Sequence, residues 1–436
     1  MAVYELMKDS KLPWIGAIPS HWHIIRIKEL MQNVSEKNHP NATVLSLYRE
    51  HGVLPKDSRD DNHNVTSLDT ASYKFVRIGE LVINKMKAWQ GSLGVSDYEG
   101  IVSPAYYVCR FTSDKINTKY FHYLIRCKAY AQEFERLSTG MRVGQWDLGI
   151  DDFMCTPAII PPIDEQTAIA AYLDDQCAKI DSLIAEAKAS IEEYKKWKAS
   201  LIFETVTRGL DPNVEMKDSG VEWIEKIPVT WSTARLKTLF SFSKGLSITK
   251  ADLVEIGIPV ISYGQIHAKT NTGTHLADEL LRYVPDKYLE SSSDCMIKQG
   301  DIILADTSED LVGLGNAVLM DRQEQVFAGY HTIVMHPNNA DNSKYLSYLL
   351  LTDCWRSQLR SNASGIKVFS VTQKILRACD VILPTAKEQT AIVNYLDKKC
   401  SAIDSIIAEK SLIITNLECY KHSLIFETVT GKRKVV

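Results

Sequence analysis

No stretch of the 436-residue chain approaches the run of about 18 apolar residues that a membrane-spanning helix requires. The opening MAVYELMKDSK has no apolar core of the signal-peptide kind. Nine cysteines are scattered singly from Cys109 to Cys419, without a C-x-x-C pair. That argues against a zinc ribbon or a dithiol redox centre, and fits reduced thiols in a cytoplasm. Neither a G-x-x-x-x-G-K-[ST] phosphate loop nor a G-x-G-x-x-G after a strand is present. Pro161–Pro162 lacks the preceding Asp or Asn and the following aromatic of an amino-methyltransferase motif, and the lone Pro285–Asp286 reads as a turn. An excess of positive charge is missing too. Basic and acidic residues number 19 and 18 over 1–155, 6 and 9 over 156–210, 17 and 21 over 211–380, and 8 and 6 over 381–436. No segment has the strongly basic footprint of a self-sufficient nucleic-acid binder, so any such affinity comes from local patches, from partners, or from both.

What the chain does have is a repeat. Residues 165–207 and 388–430 align without a gap, from EQTAI to SLIFETVT, and 25 of the 43 positions are identical. The duplication extends beyond them. Residues 8–30 match 217–239 through Trp14/Trp223, Ile18/Ile227, Pro19/Pro228, Trp22/Trp231 and Arg26/Arg235. Two similar units in one chain are implied. The W-x-x-x-I-P-x-x-W signature reads as a buried aromatic anchor for each domain, since Trp buries much apolar area and Pro sets a turn. His21 and His23 beside it read as exposed, because H-x-H without further ligands is a weak metal signal.

The expected order is a domain over 1–158, a helix over 159–210, a second domain over 211–382 and a second helix over 383–436. Short strand-like runs such as ELVINKM (80–86), IPVISY (258–263) and DIILAD (301–306), mixed with helical stretches at 119–134 and 343–359, make each domain α+β with mostly antiparallel pairing. Between the anchors the two domains read differently, as if the frame were duplicated and the contents not. In the helices a 4,3 spacing picks out Leu173, Cys177, Ile180, Ile184, Ala187, Ile191, Tyr194, Lys198, Leu201 and Thr205. The second copy gives Leu396, Cys400, Ile403, Ile407, Lys410, Ile414, Leu417, Lys421, Leu424 and Thr428. A mostly apolar 3.5-residue period makes a coiled-coil seam, with Lys198 and Lys421 as matching polar interruptions. Asp164 and a Thr385/Glu388 capping box mark the helix starts, and Gly209 and Gly431 lie just past the ends. A helix of about 42 residues is roughly 63 Å long, and antiparallel pairing would put a domain at either end of a rod.

These features resemble the specificity subunit of type I restriction–modification enzymes. The resemblance covers essentially the whole chain. It rests on the K-x-x-x-x-x-W-x-x-x-I-P-x-x-W lead-in to each domain, P-x-x-x-E-Q-T-A-I at each helix start and S-L-I-F-E-T-V-T at each helix end. It implies two target-recognition domains that each read half of a split double-stranded DNA site, on a frame of two helices that sets the spacing. It implies partners as well: two modification subunits holding S-adenosylmethionine, and up to two motor–nuclease restriction subunits using ATP and magnesium. The chain itself would hold no cofactor or metal and catalyse nothing. The competing expectation is a two-domain protein-interaction scaffold that binds no DNA.

Candidate DNA contacts come from polar loops holding amide, basic and aromatic side chains, the types that suit base edges and phosphates. In the first domain these are Asn84, Lys85, Lys87, Trp89 and Gln90 in INKMKAWQGSLG (83–94), Arg142 and Gln145 in STGMRVGQW (138–146), and Arg49, His51 and Arg59 in the polar run 47–64. In the second they are Lys244, Tyr263, Gln265, His267, Thr307, Ser308 and Lys367.

Overall fold

Two long α-helices, Ile163–Arg208 and Ala386–Val429, dominate the chain in a computed structural model that describes residues 3–49, 51–58, 70–142, 145–339, 343–365 and 367–435. The second starts as its sequence requires. Thr385 donates its backbone N–H (3.1 Å) and hydroxyl (2.6 Å) to the Glu388 carboxylate, and its hydroxyl accepts the Glu388 N–H at 3.4 Å. The first begins at Ile163, one residue ahead of the expected cap. Asp164 and Glu165 therefore fall in the first turn, where negative charge meets the positive end of the helix dipole. Both helices stop at glycines in the left-handed region, Gly209 (φ 80°) and Gly431 (φ 72°).

The chain divides into two compact units, Met1–Ala189 with Lys410–Val436, and Ser190–Glu409. The division falls inside both helices, unlike the boundaries at 158, 210 and 382 drawn from the sequence. Each unit thus owns the first part of one helix and the last part of the other.

In the first unit a four-stranded antiparallel sheet runs in the order Met31–Val34, Tyr106–Phe111, Leu81–Asn84, Leu93–Val95. Two short helices, Thr118–Arg126 and Lys128–Leu137, follow it. Strand Pro157–Ile160 then pairs with His23–Arg26 and leads into the long helix. Trp22, Phe121, Tyr120, Leu124, Phe134 and Phe153 fill the core, and Leu173, Ile180, Ile184 and Leu424 of the long helices join them.

The second unit repeats this plan. Its sheet runs Phe240–Lys244, Thr332–Pro337, Ile302–Ala305, Ala317–Leu319. The short helices are Ser343–Leu350 and Asp353–Asn362, and Asp380–Leu383 pairs with Ser232–Arg235. A second four-stranded sheet holds one parallel contact, Ile258–Ile261 beside Val326–Ala328. Domains that read as unlike in sequence therefore share one sheet, one helix pair and one exit strand. The shared feature is the order of strands, which side-chain identity between the anchors does not reveal.

Within each unit the helix segments pack antiparallel, and polar seam positions meet carboxylates. In the first, Lys421 binds both oxygens of Asp181 at 2.7 Å. In the second, Lys198 does the same to Asp404. Leu173, Cys177, Ile180, Ile184, Ile191, Leu396, Cys400, Ile403 and Leu424 are buried. Ile407 and Ile414 are half-buried, and so is Leu201, whose neighbour Ile202 points inward instead.

Candidate nucleic-acid interface

In the first domain the nominated loops converge. The segment joining Leu81–Asn84 to Leu93–Val95 carries Lys85, Lys87, Trp89 and Gln90. Against it lies the hairpin Thr139–Arg142/Gln145–Asp147. Lys85 pairs with Asp147 at 3.0 Å, Leu148 N–H donates to the Lys85 carbonyl at 3.0 Å, and the Trp89 and Trp146 rings sit 5.2 Å apart. The hydrogen bond to Asp147 raises the Lys85 pKa, so Lys85 stays a cation. The guanidinium of Arg49, arriving on a third segment, donates to Gln90 Oε1. Together Arg49, Trp89 and Gln90 line a shallow cleft with Lys128 and Gln132 of the second short helix. Lys87 stands exposed.

Other nominated residues lie differently. Asn84 is buried, and its side-chain oxygen accepts the Met86 N–H at 3.2 Å, so it holds the turn rather than offering an amide to a ligand. The side chains of Arg142 and Gln145, and all of Arg59, lie outside the described residues. His51 is exposed beyond Arg49.

The second domain builds the equivalent place from other residues. The loop after Ile302–Ala305 holds Thr307 and Ser308, which pair with Phe369 and Ser370. Val371 N–H donates to the Asp306 carbonyl at 2.8 Å, the counterpart of the Leu148–Lys85 bond. His267 donates through Nε2 to the Thr307 carbonyl at 2.7 Å while Nδ1 accepts from Asn316 at 3.1 Å, so its ring is committed to holding the loop. Gln265 is occupied in the same way, accepting the Ser262 N–H at 3.2 Å. Tyr263 is half-buried, edge-on to Tyr330 and His331. Ser308 is buried, whereas Lys244 and Lys367 are exposed. Next to Lys244 two backbones nearly touch: a Cβ on Gly245 would meet the Gly329 carbonyl at 2.0 Å.

The family "Type I restriction modification DNA specificity domain" matches residues 19–193 and 228–413. The chain belongs to this family. Its role is therefore DNA sequence specificity in a type I restriction–modification system. Among relatives, the MjaVIII specificity subunit of Methanocaldococcus jannaschii is 22% identical over 435 residues, covering 96% of this chain and 94% of the other. The StySPI specificity subunit of Salmonella potsdam is 20% identical over 210 residues, 47% of this chain and 44% of that one. Two solved structures share the fold at 14% identity. One comes from work on complex assembly and conformational transition of the type I R-M system, with TM-score 0.68 over 95% of this chain and 99% of that chain. The other is the HsdS subunit from Thermoanaerobacter tengcongensis, with TM-score 0.51 over 95% and 98%.

The repeated motifs of the specificity subunit turn out to bind one another. Trp22 Nε1 donates to Glu165 at 3.0 Å, and Trp231 Nε1 to Glu388 at 3.3 Å, so each signature tryptophan is tied to the glutamate that opens a long helix. Tyr4 (3.0 Å) and His21 (2.5 Å) also reach Glu165, which gives His21 a partner the sequence did not suggest. A further link was missed. Tyr123 and Lys119 hold Asp174 at 2.8 and 2.9 Å, and Tyr348 and Lys344 hold Asp397 at 2.6 and 3.5 Å. Deeper in, Tyr120 donates to the Val429 carbonyl and Tyr345 to that of Val206. The signal was legible: both short helices read K-Y-x-x-Y, and both long helices place Asp just after the Y-L pair.

Proposed function

We propose that each domain reads one half of a bipartite site on double-stranded DNA through the loop between the second pair of sheet strands and the segment tied across it. One observation carries this reading. At the same point of the sheet, in both domains, a loop of unlike sequence is held by the same backbone hydrogen bond, Leu148 to Lys85 and Val371 to Asp306. A common scaffold presenting different side chains suits two readers of different bases in the major groove, where all four base pairs are distinguishable. Arg49, Lys85, Lys87, Trp89 and Gln90 serve the first half-site, and Lys244, Tyr263 and Lys367 the second. Gln265, His267, Thr307 and Ser308 position the second domain's loops.

The helices set the spacing between the half-sites and dock two modification subunits, with up to two restriction subunits completing the assembly in the cytoplasm. S-adenosylmethionine, ATP and magnesium belong to those partners, and this chain is the non-catalytic recognition element. With a balanced charge, the isolated chain binds DNA weakly and gains affinity when its partners contribute basic surface. Footprinting of the complex with modification subunits tests this. Two protected patches separated by an unread spacer are expected, and normal assembly with no protection would favour the scaffold reading.

A further inference from the structure

The two recognition loops differ in chemistry. In the first domain residues 85–92 read KMKAWQGS, with two lysines and no acid. In the second, residues 306–316 read DTSEDLVGLGN, with three acids and no base. Carboxylates gain nothing from phosphate oxygens, so this loop is unsuited to holding the DNA backbone. It also exposes apolar side chains: Leu311 is 43% and Val312 75% exposed, and Val368, one residue beyond the last ladder pair Ser308–Phe369, is 50% exposed.

The exposure is not the slack of a loose loop. Arg360 Nε donates to the Leu311 carbonyl at 3.0 Å, Gly313 N–H to Asp310 at 2.6 Å, and Asp310 N–H to Ser308 Oγ at 3.4 Å. Arg356, buried enough that its pKa falls to about 10, donates to Asn316 Oδ1 at 2.8 Å and closes the loop. Asp306 is engaged by His331 at 3.2 Å. What is exposed at the tip is Leu311 and Val312, with the acids Glu309 and Asp310 just before them. In a major groove the apolar feature available to such side chains is the thymine C5-methyl group.

We infer that the second domain recognises thymine in its half-site by packing Leu311 and Val312 against the methyl group, and that these two residues determine specificity there. The inference rests on the half-site reading above. It sets the second domain apart from the first, whose loop carries lysines of the kind that suit guanine and phosphate.

The test uses the full complex with modification subunits and a duplex carrying the motif that it methylates. Thymines of each half-site are replaced in turn by deoxyuridine, which removes only the methyl group. Affinity should fall about fourfold per contacted methyl, the equivalent of exposing one methyl-sized group. The loss should occur in one half only and vanish in a Leu311→Ala, Val312→Ala double variant. Both side chains are exposed, so the variant should fold, and the wild-type result stands without it. No loss in either half, or a loss that persists in the assembled variant, would overturn the inference. The lack of any split motif would instead overturn the half-site reading, and this inference with it.

Discussion

At the scale of single residues, the joint between each domain and its frame is a set of charged hydrogen bonds around Glu165 and Glu388. Burial pushes the Glu165 carboxyl up, but hydrogen bonds from His21, Trp22 and Tyr4 outweigh it, and the net pKa lies below the ordinary 4.5. A carboxylate whose folded pKa is depressed contributes stability above its unfolded value and loses it as pH falls through the folded one. The joint is therefore fully formed at neutral pH and weakens only in acid, below about pH 4.5. Glu165→Gln should lower the melting temperature at pH 7 and flatten the acid limb of a melting-temperature profile. The expected cost is roughly 1 kcal/mol, below the ~1.5–3 kcal/mol of a hydrogen bond to a charged group, because solvent reaches the site. An unchanged acid limb would remove Glu165 from the joint.

At the scale of elements, the seam mixes buried aliphatics with two mirrored ion pairs, Lys198–Asp404 and Lys421–Asp181, each with its lysine partly covered. Reversing Lys198 to Asp puts like charges together and should cost about 0.5–1 kcal/mol, with Asp404→Lys in the same chain restoring it. A thermal melt of the two single variants and the double variant reads this coupling. Ile184→Asp buries a charge at a position 8% exposed, whereas Ile407 is only half-buried. The first should break the helix pair, visible as lost helicity, and the second should be milder.

The helices were the most legible part of the sequence, because a 3.5-residue period and a gapless repeat declare themselves over 40 residues or more. The sheets were not. Strands of three to six residues with unlike side chains carry no shared signature, and their common order becomes visible only once Leu81–Asn84 and Ile302–Ala305 are seen at the same place. The loops were found by composition, which cannot separate presenting residues from supporting ones. Asn84 and His267 have the chemistry of base readers but are spent on the protein's own backbone.

At the scale of the whole molecule, the proposed reading draws two specificities from two domains of one plan. Lys87→Ala and Lys244→Ala should each weaken DNA binding by the complex across sequences and lower the salt dependence by about one unit, without disturbing assembly. An unaltered slope in a salt titration would place that lysine away from the phosphates. The most direct test of the central claim is the methylome of a methylation-free bacterial host expressing this chain with its modification subunit. A split motif carrying new methylation is expected. Gln90→Ala should degrade one half of it and the Leu311→Ala, Val312→Ala double variant the other. No new methylation from a stable complex, or a single unsplit motif, would contradict the account.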